Sequence, residues 1–397
     1  MAITESTVAH EAATLPSRVF TASAETSVDT RDVGLILTKS DIKSLKTYEL
    51  AGLALPTELK DVISYLGYET GAGKGLEAGD FQQTFKLIHA HASLWNPLRT
   101  DVMTVNDKLV GFAGAMQIYN EGIKEVLADI RALSLADEHK VETLADIRRI
   151  EMQRGEKFPG IDPVDRKDIG AYLNDILKKV AEQEAETRKI KDRLDAFGQQ
   201  LSDKVKPAIS LKIRGILNNT LDVEIQALQT ALDNRAVVID EKSKEYDQLV
   251  KEAITSAFGG GGGVVMMIYS SVQAEKARQA RDAMREQQEA DIRLMATKNT
   301  ILASLSRVRN DLQNLDFIVL DADIATKNLI TVWNGLYTYL SQSIEAVSGM
   351  NDALSVRRFR KQFELVAQPW ENIEADARKL RNVFAEADRE FKQEYGN

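Results

Sequence analysis

The chain has 397 residues, enough for two or three compact domains with buried cores. Seven prolines, 28% charged residues and 6% aromatic residues suit long amphipathic helices. A formal charge of −9 disfavours general nucleic-acid binding, which needs Lys and Arg to neutralise phosphates. The absence of cysteine excludes a disulfide framework, thiolate catalysis and a cysteine-based zinc site.

Residues 1–36 read as a flexible polar lead-in, and the stretch MAITESTVAHEAATLPSRVF lacks the basic start and apolar core of a secretory signal. Apolar residues then repeat at Phe81, Phe85, Ile88, Ala92 and Trp95. The rhythm continues through Val102, Val105, Leu109, Phe112, Met116, Tyr119, Ile123, Val126 and Ile130. Alternating steps of three and four over this length predict a helical seam. Asn96-Pro97 predicts a kink in that rod. Helix breakers cluster from Arg154 to Asp162, after which Asp162 is expected to cap a new helix and Pro163 to open it.

That helix carries Ile176, Val180, Ile190, Leu194, Phe197 and Leu201. It is expected to bend at Pro207 and resume through Leu221, Ile225, Leu228, Leu232, Ile239, Tyr246 and Leu249 to Gly259. No proline occurs between Pro207 and Pro369, and five of the eight glycines in that interval are the run Gly259 to Gly263. The pattern predicts one helical hairpin turned at the pentaglycine. Its return arm begins with the charged EKARQARDAMREQQEAD and regains a seam at Leu329, Trp333, Leu336, Leu340, Ile344 and Val347, with Gly349 as the stop. A last helix carries Ile373, Ala377, Leu380, Phe384, Ala387 and Phe391.

Strand-like alternation is nearly absent, so the chain is expected to be all-α. The predicted architecture is an elongated rod. Residues 37–206 and 319–397 form a multi-helix tail bundle, and residues 207–318 form a long coiled-coil neck ending in an apolar helical-hairpin head. The ~52 residues from Pro207 to Phe258 would extend roughly 78 Å as one helix, too far to fold within a globule.

The tip of that hairpin, residues 253–272, reads AITSAFGGGGGVVMMIYSSV and holds no charge. Ile254, Ala257, Phe258, Gly259, Gly260, Gly261, Gly262, Gly263, Val264, Val265, Met266, Met267, Ile268 and Tyr269 are the candidate membrane-interacting residues. A single transmembrane helix of ~20 residues fits poorly, because glycine costs about 1 kcal/mol per position relative to alanine. As hairpin arms, the flanks of the glycines reach only ~9 and ~14 Å against a hydrocarbon layer of ~30 Å. The tip is therefore suited to enter the interface or one leaflet, with Tyr269 at the boundary. The alternative is a tip covered by a neighbouring short helix, or a plain loop.

No catalytic, cofactor-binding or metal-ligating constellation is predicted. The Gly-rich GYETGAGKGLEAGD at 67–80 departs from a phosphate loop, with tyrosine at 68, glycine at 75 and no strand ahead of it. His89 and His91, two apart on a helix, point to different faces and cannot share an ion. Asp321 and Asp323 have the same spacing problem, and Met266-Met267 suits adaptable apolar contact better than soft-metal binding.

The segment LTKSDIKSLKTYELAGLALP at 37–56, then a helix with Trp95, long paired helices and a central apolar hairpin, resembles the A component of the alpha-xenorhabdolysin binary toxins. Leu45, Lys46, Tyr48, Leu55 and Pro56 are its most specific positions. The resemblance implies a non-enzymatic α-pore-forming subunit with a helical tail bundle, coiled neck and apolar head. It also implies assembly with a second, B-type subunit into a hetero-oligomeric ring on target-cell membrane lipid, without a cofactor. Such a protein is expected to be soluble first, released without a recognisable signal peptide. The alternative is a non-enzymatic coiled-coil scaffold or secretion-associated protein that grips another protein with its apolar tip.

Overall fold

The computed structural model describes residues 5–24, 32–70, 72–217, 223–258 and 272–395. All regular elements among them are helical. The first seven are α1 (Glu5–Ala24), α2 (Lys39–Leu53), α3 (Leu59–Leu66), α4 (Ala78–Ala92), α5 (Trp95–Asp129), α6 (Arg131–Glu138) and α7 (Leu144–Arg154). There follow α8 (Pro163–Gln200), a π-helical turn at Leu201–Val205, α9 (Lys206–Leu217) and α10 (Val223–Phe258). The chain continues with α11 (Val272–Ala296), α12 (Thr300–Ser348), α13 (Ala353–Ala367) and α14 (Pro369–Tyr395).

Local chemistry sets the helix ends. Thr38 and Asp41 form a reciprocal capping box at α2. Asp162 accepts from the Val164 N–H at 2.8 Å while Pro163 opens α8, as the sequence predicts. The break expected as a kink at Asn96-Pro97 falls instead at Ser93-Leu94. Pro97 lies in the first turn of α5, where its missing N–H costs nothing. The π-helical turn sits directly before Pro207, whose missing N–H disturbs the ladder there.

The spine of the molecule is α12, whose 49 residues span roughly 74 Å at 1.5 Å per residue. Antiparallel to it runs α8, so Thr187 meets Trp333 and Gly198 meets Val319. A Cβ on Gly198 would lie 2.7 Å from Val319, so glycine permits this close approach. In the same way α5 and α14 run antiparallel, with the buried Asn106 amide donating to the Leu380 carbonyl at 3.3 Å. The seams read from the sequence are the buried faces: Val102, Val105, Leu109, Phe112, Met116, Leu329, Trp333, Leu336, Leu340, Ile373, Leu380 and Phe384 all join one core.

An aromatic box centres this core. Trp333 and Trp370 stack with ring centroids 6.3 Å apart, and Phe112 meets them edge-on at 5.3 and 4.8 Å. Phe20 completes the box at 6.1 and 5.9 Å from the two indoles. Trp333 Nε1 donates to Thr187 Oγ1 at 3.2 Å, which removes the cost of burying an indole N–H.

Phe20 belongs to α1, and it corrects the expectation of a flexible segment over 1–36. Val8, Ala9, Ala12, Leu15, Val19 and Phe20 are buried against α12, α13 and α14, and Thr21 donates to Asp376 at 3.2 Å. The polar appearance of this stretch comes from its other face, where His10 and Arg18 are exposed. Small alanines let the helix nest between larger neighbours.

A second correction concerns residues 207–318, which do not project as one hairpin. Ile209 and Ile213 of α9 are buried in the main core, so α9 stays with the bundle. Lys206 at the start of α9 pairs with Asp316, while Glu224 at the start of α10 pairs with Lys298 at 2.6 Å. The chain therefore reverses between α9 and α10. It reverses again at Thr297–Asn299, where the Asn299 side chain accepts from the Leu302 N–H at 2.9 Å and opens α12. The proposed boundary at 318/319 falls inside the uninterrupted α12.

Candidate membrane-engaging hairpin

The sequence places the candidate tip where α10 gives way to α11. Ile254, Ala257 and Phe258 belong to the last turns of α10, which ends at Phe258. Gly259, Gly260, Gly261, Gly262, Gly263, Val264, Val265, Met266, Met267, Ile268 and Tyr269 lie outside the described residues. The two helices that carry the tip are antiparallel, and Arg235 of α10 pairs with Asp291 of α11 at 2.6 Å.

Both arms lie along the first half of α12. The parallel neighbour is α10, with Asp233 meeting Arg309 at 2.7 Å and Tyr246 donating to Asp321 Oδ1 at 2.5 Å. The antiparallel one is α11, with Glu289 reaching Arg307 at 3.5 Å. The tip thus connects two helices folded back over the bundle, on the side of α12 that leads toward the aromatic box.

The hairpin is held by both apolar and polar contacts. Ile225 and Leu232 of α10 and Ile292 and Met295 of α11 join the main core, while Tyr246, Ala277, Phe317 and Ile324 form a smaller separate cluster edged by Leu249 and Leu320. The Arg281 guanidinium lies 3.5 Å from the centre of the Phe317 ring, a cation–π contact made in near-complete burial. Gln229, Gln288, Ser306, Asn310, Asp311, Gln313 and Asn314 are buried beside it. Gln313 Nε2 is shared between the Ala236 carbonyl at 3.1 Å and Asp240 at 3.0 Å. Burial pushes the Asp311 carboxyl up to about 7, with Arg285 and Arg307 opposing the shift. This seam is not visible in the sequence, because its arginines and amides read as a solvated face.

Among the described residues no helix is long and apolar enough to cross a membrane, and no group of three or more His, Asp or Glu side chains is placed to hold a metal ion. His91 is a satisfied interior histidine: Nδ1 lies 2.7 Å from the Tyr48 hydroxyl and Nε2 lies 3.0 Å from the Phe197 carbonyl. Burial holds its pKa below the usual histidine value. The glycine-rich loop is pinned to α9, since Lys212 Nζ donates to the Gly75 carbonyl at 2.6 Å, and Gly73 and Gly75 take φ of 98° and 83°.

This all-α arrangement is the fold of α-helical toxin components. Over 92% of this chain and 95% of the other, it is similar to the HblL1 toxin component of Bacillus cereus, with a TM-score of 0.55 and 13% identity. It is similar to soluble SmhA, of the tripartite alpha-pore forming toxin Smh of Serratia marcescens, over 98% and 96% of the two chains, with a TM-score of 0.50 and 12% identity. XaxA from Xenorhabdus nematophila is also similar, at 24% identity over 91% of this chain and 99% of that one, with a TM-score of 0.45. The toxin group that residues 37–56 resemble is thus represented among these structures. No protein-family model and no curated protein matches the chain.

Proposed function

We propose that this chain is a non-enzymatic subunit of a two-component α-helical pore-forming cytolysin. It attaches to target membranes through residues 253–272 and assembles with a second subunit into a ring-shaped pore. The observation that carries this reading is a twenty-residue uncharged stretch joining α10 to α11, two helices whose packing on α12 includes a seam of buried polar side chains. A polar seam separates at modest cost, since both of its faces are compatible with water. Once the reversals between α9 and α10 and at Thr297–Asn299 open out, α9 with α10 and α11 with α12 form a long neck, with the apolar tip at its end. The bundle of α1 to α8, the second half of α12, α13 and α14 then stays outside the bilayer. XaxA is also known within a XaxAB pore complex, and a partner of that kind is what the present chain would need. Its two apolar arms are too short to line a channel through a hydrocarbon core of ~30 Å.

The test pairs liposome flotation with dye release, for the native chain and for Val265→Asp. The native chain is expected to float with vesicles and release little dye until a second subunit is added. Val265→Asp should keep its helical circular dichroism and lose flotation, because a charge resists entry into lipid. Unchanged flotation of the variant would remove the tip from the membrane-binding site. Full leakage by the native chain alone would refute the two-component division.

A further inference from the structure

Between α2, α11 and the first half of α12 lies a groove of 770 Å³. Lys43, Arg278, Arg281, Arg285, Arg293 and Arg307 line it. Most of these cations have a carboxylate. Lys43 pairs with Glu394 at 2.5 Å, Arg278 with Glu275 at 3.7 Å, and Arg293 and Arg307 share Glu289 at 3.6 and 3.5 Å. Asp282 accepts from Nε and Nη2 of Arg281 at 3.0 and 2.5 Å.

Two donors remain over. Arg281 is only 4% exposed, yet its Nη1 has no hydrogen-bond partner. The Nε of Arg285 is likewise buried without one, and among the described residues no carboxylate oxygen lies within 4.0 Å of the Arg285 guanidinium. Asp311 faces the same groove, but burial pushes its carboxyl up to about 7, and its Oδ2 also lacks a partner. A buried guanidinium N–H without an acceptor is costly. Two guanidinium forks one helical turn apart match the geometry of an oxyanion better than that of a single carboxylate.

We propose that this groove binds a phosphate-type oxyanion through Arg281 and Arg285 of α11, with Arg307 and the buried amides of Asn310 and Asn314 on α12 completing the cradle. The anion pins α11 to α12 and so holds the hairpin folded back. A protonated Asp311 carboxyl donates to such an anion instead of repelling it. The site rests on the seam alone and stands whether or not the chain forms pores. Its phosphate comes either from a soluble phosphate or from a phospholipid headgroup.

The experiment titrates inorganic phosphate into the full chain, with sodium chloride holding ionic strength constant, and reads thermal unfolding and binding heat. A parallel arm floats the chain with phosphatidic acid vesicles and with phosphatidylcholine vesicles. Phosphate should raise the unfolding temperature saturably, by roughly 3–6 °C at a hundred times its dissociation constant, and Arg285→Gln should weaken binding at least about tenfold. Flotation with phosphatidic acid that depends on Arg285 assigns the headgroup as the source; phosphate binding without it assigns the soluble ion. Should Arg285→Gln not fold, Arg285→Lys, which keeps the charge and loses the fork, reads the same contrast. Absence of saturable effects in both arms, or undiminished binding by the variants, would overturn the proposal.

Discussion

The two halves of α12 live in different solvents. From Leu329 onward its neighbours are α1, α5, α8 and α14, and the contact is apolar, with four aromatic rings packed against one another. From Thr300 to about Asn314 its neighbours include α10 and α11; Leu302, Leu305, Val308 and Leu312 join the main core, but Ser306, Asn310, Asp311, Gln313 and Asn314 are buried on this half as well, and Ser306 donates to Gln229. A dry aromatic contact is strong and offers few alternative arrangements. A polar contact with unpartnered donors and acceptors is weaker and can be exchanged for water or for another polar surface. One helix thus carries a dry aromatic contact along one half and a mixed polar and apolar contact along the other.

The largest effect is expected where the contact is driest. Trp333→Ala removes the ring that touches Phe20, Phe112 and Trp370, and should cost about 3–5 kcal/mol. Denaturant unfolding followed by helical circular dichroism should show a lower midpoint for the whole molecule, because the box joins α1, α5, α12 and α14. A loss confined to α10 and α11 would erase the contrast between the two halves.

Tyr246→Phe should act locally and more weakly. It removes a 2.5 Å hydrogen bond to Asp321 and keeps the ring tilted against Phe317, so the expected cost is roughly 1.5–3 kcal/mol, as for a bond to a charged group. Hydrogen exchange should speed up in α10 and α11 and stay unchanged in α5 and α14. Uniform acceleration would mean that the hairpin and the body open as one unit.

The third effect sharpens the comparison through pH. Asp311 has a carboxyl raised to about 7, against an ordinary unfolded value near 4, so the folded hairpin keeps a proton that the unfolded chain has released. This contribution is fully present below about pH 4, and is lost as pH rises toward 7, at up to about 1.4 kcal/mol per pH unit. Hydrogen exchange of α11 measured at pH 5 and pH 8 should show a less stable hairpin at pH 8. The Asp311→Asn variant should show a smaller difference between the two, and an equal difference would place the titration elsewhere.

The body was legible in the sequence because large apolar residues recur every three or four positions on α5, α12 and α14, and those positions are the buried ones. The N-terminal helix was not, since alanines supply much of its buried face and an isolated Pro16 suggests a break. Of the hairpin, only the end of α10 was legible, since Phe258 is followed directly by the glycine run. Periodicity identifies apolar faces, whereas the buried face of α11 carries Arg278, Arg281 and Gln288, which look like surface residues until a neighbour is seen to cover them. The reversal at Thr297–Asn299 has neither glycine nor proline to announce it, and rests on one asparagine cap.

The position of α1 has a consequence for the order in which the molecule can be completed. Thr21 hydrogen-bonds Asp376, a partner 355 residues further along. At 5–20 residues per second a ribosome needs roughly 20–70 s to travel that distance. During that time Leu15, Val19 and Phe20 have no native neighbours from α12 and α14 to pack against. Synthesised well before its partners, α1 is therefore among the last helices to dock, so a chain stalled before α14 would display that apolar stripe to the chaperones of the cell that makes it.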